Sequence, residues 1–477
     1  MHANYQRTKI IFTIGPATSS EADLEAVIRA GANVCRLNMA HANHPWTRDT
    51  VHRVRATAEK LDTPVPIMMD VKGPEIRTGD VPETIELIAG ETFDFIVDGS
   101  LPDALAPGIR GVTVNYPLMH EDVQVGGTLL VDSGLVRMEI AEILPDRVRC
   151  TVVIPGPIGN RRHINLPGTH VRLPALTEKD KADIAIGLEL DVEYYALSFV
   201  REAEDLETFR QHLRERGSRA RIIAKIEDQS GIRNLDDIIR TSNGLMVARG
   251  DLGIECPYEE LPVIQRRAIQ ACIQAKKPVI VATHMLESMI TQPIPTRAEV
   301  TDVANAIFER ADAVMLSGET TVGKYPTECV NVMSRIARKI EAESPIGHRE
   351  RIRLTTPKSH LLNAAALLSQ ELRAGIVVFS RTGFLPEVLS ALRPSHTPIF
   401  CFTDTPQLYR QLPLMWGIQP FLMDFSSDPE QTILDAFARL KHAPGQWTVR
   451  DGDWMVVITT VLGRNRVIDS VQMRPVE

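Results

Sequence analysis

The stretch ARIIAKIEDQ, residues 220–229, places a lysine and a glutamate two positions apart inside an apolar run. In an extended chain Ile223, Lys225 and Glu227 share one side, and Ile222, Ala224 and Ile226 the other. A charge in a low-dielectric interior is costly unless it is paired or bound. The lysine and glutamate are therefore a structural ion pair or part of a site. One βα repeat further on, GLMVARGDL supplies Asp251. Two carboxylates on neighbouring parallel strands repel unless a cation sits between them, and oxygen-only ligands suit Mg²⁺ or Mn²⁺. The same residues also admit plain Lys–Glu and Arg–Asp pairs. Arg36 and Arg77 add positive charge. Two arginines, a lysine and a divalent metal form a phosphate clamp. Either arginine alone also fits a surface salt bridge.

The elements that would position these groups are near-continuous apolar runs at 8–15, 32–39, 64–71, 192–200, 221–228, 244–252, 278–285 and 311–318. Such runs suit parallel strands covered on both faces. Amphipathic helical segments lie between most of them. Thr177-Glu-Lys-Asp180 resembles a capping box, and SSEADLEAVIRAGA starts on Ser and ends on Gly31. This alternation predicts an α/β fold, a (β/α)8 TIM barrel, with a doubly wound sheet as the competing solution. Between strands three and four the texture changes to alternating apolar and polar residues with Gly, Pro and Asp turns, read as antiparallel β. The expected organisation is a barrel over 1–71 and 168–343, an inserted small β-barrel lid over 72–167, and a C-terminal α/β domain over 344–477. Strands are expected there at 375–380, 397–403, 417–423 and 454–462, after a linker ESPIGHRERIRLTTPKSH.

Function in such barrels sits at the C-terminal ends of the strands. Reading those ends gives Arg36, Asn38 and His41; Asp70, Lys72, Glu75 and Arg77; Ser198; Lys225 and Glu227; Arg249 and Asp251; Thr283 and His284; Ser317 and Glu319. One polar strand end is ordinary, whereas their convergence on one rim is the signal.

Composition narrows the classes. The 477 residues are 44% hydrophobic and 24% charged, ample for a globular core. The net charge of −8 and lack of a basic stripe argue against nucleic acid. No apolar run approaches the ~20 residues that span a bilayer. Gly15-Pro16 interrupts the N-terminal apolar run with no small-residue cleavage site after it, so no signal peptide is expected. The six cysteines are scattered without C-x-x-C, as for reduced thiols in a cytoplasmic enzyme. GETTVGKY, 318–325, matches G-x-x-x-x-G-K but has Tyr325 where a P-loop needs a magnesium-binding hydroxyl. The glycines of GDLGIECPYEELP suit close backbone approach to a small carboxylate.

TKIIFTIGPAT, NVCRLNMAH, MMDVKGPEIRTG, LVDSGL, NLPG, LPALTEKDKADI, ALSFVR, IIAKIED, GLMVARGDLGIE, VATHMLESMI, PTRAEVTDVANAIFERADAVMLSGET and GKYP, in that order across 8–327, resemble pyruvate kinase. The resemblance implies phosphoryl transfer from phosphoenolpyruvate to ADP, giving pyruvate and ATP, in a cytoplasmic homotetramer. It implies divalent-metal ligands at Glu227 and Asp251. Lys225 and Arg36 are similar to the groups that meet the phosphoryl group. Thr283 with the Gly250–Asp251 backbone resembles the cradle for the substrate carboxylate. Asn38, Asp70 and the Val71 carbonyl resemble potassium ligands. His41, Arg77 and Arg162 are similar to nucleotide contacts. Ser317 and Glu319 match a stretch assigned to the proton path toward the enolate.

The chain departs from the family in places. Ala40 replaces the serine of the family's N-x-S-H, which removes one potassium ligand, while Glu75, the family's marker of potassium dependence, is kept. Weakened K⁺ activation is therefore expected. The lid has Asp132-Ser133-Gly134 for Asp-Asp-Gly, and Arg162 stands for a lysine. In the effector loop FSRTG, Ser380, Arg381 and Thr382 remain, but Phe384 and Leu385 follow, and the tail lacks Gly-Ser-Gly. The effector is then another sugar phosphate, AMP, or none, rather than fructose bisphosphate. Two other readings are another metal-dependent phosphoenolpyruvate or pyruvate barrel enzyme, of aldolase or mutase type, and a non-catalytic metabolite sensor.

Overall fold

The computed structural model describes residues 5–97, 105, 108–343, 352–395, 397–443, 449–463 and 466–477. Three strands come first: β1 (Lys9–Thr13), β2 (Val34–Asn38) and β3 (Ile67–Val71). The insertion follows, with β4 (Ile76–Arg77), β5 (Ile85–Glu86), β6 (Thr92–Ile96), β7 (Arg110–Thr113), β8 (Thr128–Val131), β9 (Val136–Leu144), β10 (Arg147–Ile154), β11 (Pro157–Ile158) and β12 (His163–Asn165). Then come β13 (Tyr194–Leu197), β14 (Arg221–Ile226), β15 (Gly244–Ala248), β16 (Val279–Ala282) and β17 (Ala313–Leu316). The eight strands β1–β3 and β13–β17 form a closed parallel barrel, each paired to its neighbours in chain order and β17 closing onto β1. The doubly wound alternative is thereby excluded.

The two-residue repeat of a strand explains the barrel interior. Ile11, Val34, Met68, Ala196 and Ile223 belong to one buried cluster inside the barrel. Two residues further along each strand, the same inward face presents Thr13, Arg36, Asp70, Ser198 and Lys225. Each row thus runs from an apolar floor to a polar mouth. Leu414, from the C-terminal part of the chain, joins the floor cluster.

In the insertion, seven strands pair in the order β4-β12-β8-β9-β10-β6-β7. An antiparallel bridge between Thr78 and Val114 ties the two edges together, turning the sheet into a small barrel. The expectation of a purely antiparallel insertion is corrected at one place: β6 and β7 pair in parallel. The long 97–110 connection makes this possible, since a short hairpin cannot join parallel neighbours.

The C-terminal sheet has the order β20-β19-β18-β21-β22, with β18 (Gly375–Phe379), β19 (Ile399–Thr403), β20 (Ile418–Leu422), β21 (Trp454–Gly463) and β22 (Arg466–Pro475). β22 is an addition to the predicted set. It runs antiparallel along β21 at the sheet edge, where polar residues such as Asp469, Ser470 and Gln472 dilute the apolar signal. Much of the expected linker, 344–351, lies outside the described residues. Its end is helical, because Thr356 caps a helix starting at Pro357.

Buried contacts seal the barrel base against this region. Arg393 meets Asp312 at 2.6 Å with both side chains almost fully buried, and Lys9 Nζ donates to the Ile418 carbonyl at 2.7 Å. All six cysteines are free and buried. Among the described residues no helix is long and apolar enough to cross a membrane.

Candidate active site

β14 delivers Lys225 into the barrel mouth, where its ammonium finds three oxygens. Lys225 Nζ lies 3.0 Å from Asp70 Oδ1 and 2.9 Å from Glu227 Oε1, and it donates to Ser198 Oγ at 2.6 Å. Arg36, from β2, contacts the other Asp70 oxygen at 2.7 Å through Nη2, and its Nη1 donates to Thr13 Oγ1 at 3.0 Å. The mouth is therefore one connected network of two cations and two carboxylates. The Asn38–Asp70 register between β2 and β3 sets Asn38 beside it, and the Val71 carbonyl accepts from Ser198 Oγ at 2.8 Å.

Burial opposes charge at Lys225, but Asp70 and Glu227 outweigh it and hold the ammonium well above the ordinary lysine range. At Asp70 burial is likewise outweighed, by Lys225 and Arg36, which keep its carboxyl below the usual carboxylate range. Glu227 goes the other way. Burial pushes it up to about 7; Lys225 opposes the rise while Asp251 and Asp70 add to it. An ammonium within 3.0 Å of two carboxylates stays charged, so the strain of this cluster falls on Glu227.

Glu227 follows the end of β14, and its second oxygen accepts the Phe199 N–H at 2.7 Å. Asp251 follows the neighbouring β15. The strand expected over 244–252 stops at Ala248, and Arg249–Glu255 is a helix with Asp251 in its first turn, where the helix dipole favours an anion. Asp251 is half-buried and has no hydrogen-bond or ion-pair partner among the described residues.

A second node lies on β16's end. Thr283 has φ 67°, and its Oγ1 accepts the Gly250 N–H at 2.7 Å. Arg249 reinforces this turn, donating to the Thr283 carbonyl at 2.6 Å and pairing with Asp302 at 2.7 Å. At β17, Glu319 is buried and its carboxylate accepts the N–H groups of Ser317 at 2.6 Å and Leu286 at 3.0 Å. Burial pushes its carboxyl up. Ser317 Oγ is shielded from solvent without a hydrogen-bond partner among the described residues.

The remaining expected residues stay outside the network. The His41 side chain is exposed. Arg77 turns to Glu75, with Nε donating to it at 2.6 Å, and Nη1 donates to the Arg161 carbonyl at 2.7 Å. Arg162 reaches Asp132 at 3.3 Å. In the C-terminal sheet region, Ser380 Oγ accepts the Gly383 N–H at 3.1 Å and Arg381 pairs with Asp404 at 2.6 Å.

Three participants escaped the sequence reading. Thr13 is the polar end of β1 and was open to the same strand-end reasoning. The Phe199 N–H is backbone and leaves no sequence signal. His163, on β12 of the insertion, packs edge-on against the Phe199 ring at 5.9 Å, a contact between distant segments.

A closed parallel barrel with a β insertion over its mouth and a buried cation–carboxylate network at its strand ends defines a lidded (β/α)8-barrel enzyme. A model for the pyruvate kinase barrel domain matches residues 5–330, and one for the pyruvate kinase alpha/beta domain matches 359–470. Plastidial pyruvate kinase 2 of Arabidopsis thaliana is 39% identical over 99% of this chain and 81% of its own length. Pyruvate kinase of Clostridium acetobutylicum is 37% identical over 96% of both. The crystal structure of a pyruvate kinase from Cryptosporidium parvum superposes with a TM-score of 0.92 at 34% identity, covering 99% of this chain and 96% of that one. The chain belongs to the pyruvate kinase family, a family of phosphotransferases.

Proposed function

We propose that the protein transfers the phosphoryl group of phosphoenolpyruvate to ADP. The P–O bond of the enol phosphate breaks, a P–O bond to the terminal ADP phosphate forms, and the enolate left behind takes a proton at carbon to give pyruvate. The observation that carries this reading is the Lys225–Asp70–Arg36 arrangement. It holds two permanent cations at fixed positions in the barrel mouth, where they can meet phosphoryl oxygens without reorganising.

Glu227 and Asp251 suit a divalent ion, Mg²⁺ or Mn²⁺. The elevated Glu227 and the unpartnered Asp251 mark a surplus of negative charge that such an ion relieves. Among the described residues no group of three or more His, Cys, Asp or Glu surrounds a common point. Substrate oxygens and water would complete the shell, as is usual for Mg²⁺. When bound, the ion supplies positive charge to the phosphoryl and enolate oxygens. Lys225 and Arg36 bind and orient the phosphoryl group; Thr283 with the Gly250–Asp251 backbone holds the carboxylate. The unpartnered Ser317 hydroxyl, positioned by Glu319, is the proton path. His41, Arg77 and Arg162 line the nucleotide side, and closure of the insertion excludes water from the transfer.

A monovalent cation, K⁺, fits Asn38, Asp70 and the Val71 carbonyl. Both Asp70 oxygens already serve Arg36 and Lys225, so the ion shares that carboxylate. We further propose a division into 1–71 with 168–343, 72–167 and 344–477, a cytoplasmic homotetramer, and an effector loop at Ser380, Arg381 and Thr382.

The test is pyruvate release followed by a coupled assay, with ADP, Mg²⁺ and K⁺ each withheld in turn. Loss of product without ADP is expected. Pyruvate released at full rate without ADP would mean transfer to water rather than to the nucleotide; phosphoenolpyruvate consumed without pyruvate release would favour a mutase, and no turnover under any condition would favour a sensor.

A further inference from the structure

Glu227, one of the two carboxylates that suit a divalent ion, is not held by its own strand alone. Three successive residues of the turn after β13 grip the end of β14. The Phe199 N–H donates to Glu227 Oε2 at 2.7 Å. The Val200 N–H donates to the Lys225 carbonyl at 3.3 Å. Arg201 pairs with Asp228, the residue after Glu227, at 3.1 Å. The turn therefore sets the direction of the Glu227 side chain and ties down the chain on either side of it.

The turn itself needs support. Phe199 has φ 52°, in the left-handed region that a bulky residue seldom adopts and keeps only where its surroundings hold it. Its ring supplies the hold. His163 packs edge-on against that ring, with centroids 5.9 Å apart and planes at 64°. The Arg201 guanidinium lies 5.9 Å from the same centroid, within reach of a cation–π contact. Arg201 belongs to the barrel and His163 to the insertion, so the ring is clasped from both. His163 is carried on a sheet rather than a loose loop: β12 pairs with β4 at His163 and Arg77, and with β8 at Ile164 and Val131.

We propose that Phe199 is a positioning residue, and that its ring is the clasp through which the insertion steadies Glu227. With His163 seated, the turn keeps its left-handed residue and Glu227 presents its free oxygen in one direction. Without His163, the turn relaxes and the Phe199 N–H releases the carboxylate. A partner that orients a ligand raises the affinity for the ion it holds. The clasp is a statement about the turn alone, and only its consequence for the ion rests on the reading of Glu227 as a metal ligand.

The experiment uses the full chain without substrates and takes two readouts. Amide hydrogen exchange of metal-free protein, followed by mass spectrometry, reports on the turn; electron paramagnetic resonance reports Mn²⁺ binding. His163→Ala should speed exchange at the Phe199 and Val200 amides at least ~10-fold, as local opening of the turn requires. Phe199→Ala keeps the N–H that meets Glu227, yet should weaken Mn²⁺ binding at least ~10-fold, and His163→Ala, one contact further out, at least ~3-fold. His163→Phe, which keeps a ring without the imidazole nitrogens, should restore both readouts. Unchanged exchange in His163→Ala overturns the clasp. Failure of His163→Phe to restore either readout overturns it as well, because the nitrogens and not the ring contact would then matter. Faster exchange with unchanged Mn²⁺ affinity in His163→Ala and Phe199→Ala, where Glu227→Gln does weaken Mn²⁺, overturns the positioning role. Unchanged Mn²⁺ affinity in Glu227→Gln overturns the metal reading instead, and the exchange result still decides the clasp.

Discussion

Lys225 on β14 reaches past β13 to meet Asp70 on β3 at 3.0 Å, so two strands that share no hydrogen bond are joined inside the barrel mouth. The pair fixes the ammonium in space and keeps it charged, which is what a group meeting a phosphoryl oxygen requires.

Replacing Lys225 by Met removes that charge and strands Asp70 and Glu227. Turnover should fall at least ~10³-fold, the scale of losing a fixed transition-state cation. Stability should fall by roughly 3–5 kcal/mol, because buried carboxylates lose their counter-ion. Steady-state rates and urea unfolding measure the two effects. Wild-type turnover in this variant would remove Lys225 from the mechanism.

Glu227→Gln and Asp251→Asn should each raise the Mg²⁺ concentration for half-maximal activity at least ~10-fold. Loss of a direct ligand should cost no less than loss of an outer-shell partner. Mn²⁺ binding followed by electron paramagnetic resonance checks this without turnover. Unchanged Mn²⁺ affinity in both variants would contradict the assignment.

Glu255, one helical turn beyond Asp251, gives a pH signature of its own. Burial pushes its carboxyl up to about 7, with Asp228 and Asp251 adding to the rise, although Asn165 Nδ2 donates to it at 2.9 Å. The folded state therefore holds this proton more tightly than the unfolded chain. The resulting stabilisation is complete below the ordinary carboxyl range near 4.5 and is lost as pH rises to about 7. Glu255→Gln should flatten this part of the melting-temperature profile. Parallel profiles for the two proteins between pH 4.5 and 7 would show that Glu255 is not the titrating group.

Potassium dependence should respond to Ala40. Ala40→Ser restores a side-chain oxygen next to Asn38, whose Oδ1 accepts the Ala40 N–H at 3.2 Å. The K⁺ concentration for half-maximal activation should drop in this variant. A titration with K⁺ against an inert cation at constant ionic strength measures it, and an unchanged midpoint would argue against a cation at this position.

Much of the barrel was legible because buried parallel strands leave long apolar runs and their polar ends converge. Lys225, Asp70 and Arg36 could be named from that rule alone. β22 was not legible, because an edge strand needs only one apolar face and its polar residues look like a loop. The end of β15 leaves no mark in the sequence, because the apolar texture of GLMVARGDL continues into the helix that carries Asp251. The Phe199 N–H and the His163–Phe199 contact depend on tertiary placement, which no local pattern encodes.

Leu414 completes the apolar floor of the barrel, and Tyr194 of β13 donates its hydroxyl to the Gln411 carbonyl at 2.5 Å beside it. The C-terminal part is thus the cork of the vessel. A fragment cut before it would leave Tyr194, Met68 and their neighbours wet from below. Such a fragment is expected to aggregate rather than persist as an independent catalyst, which binds the inheritance of the two halves together.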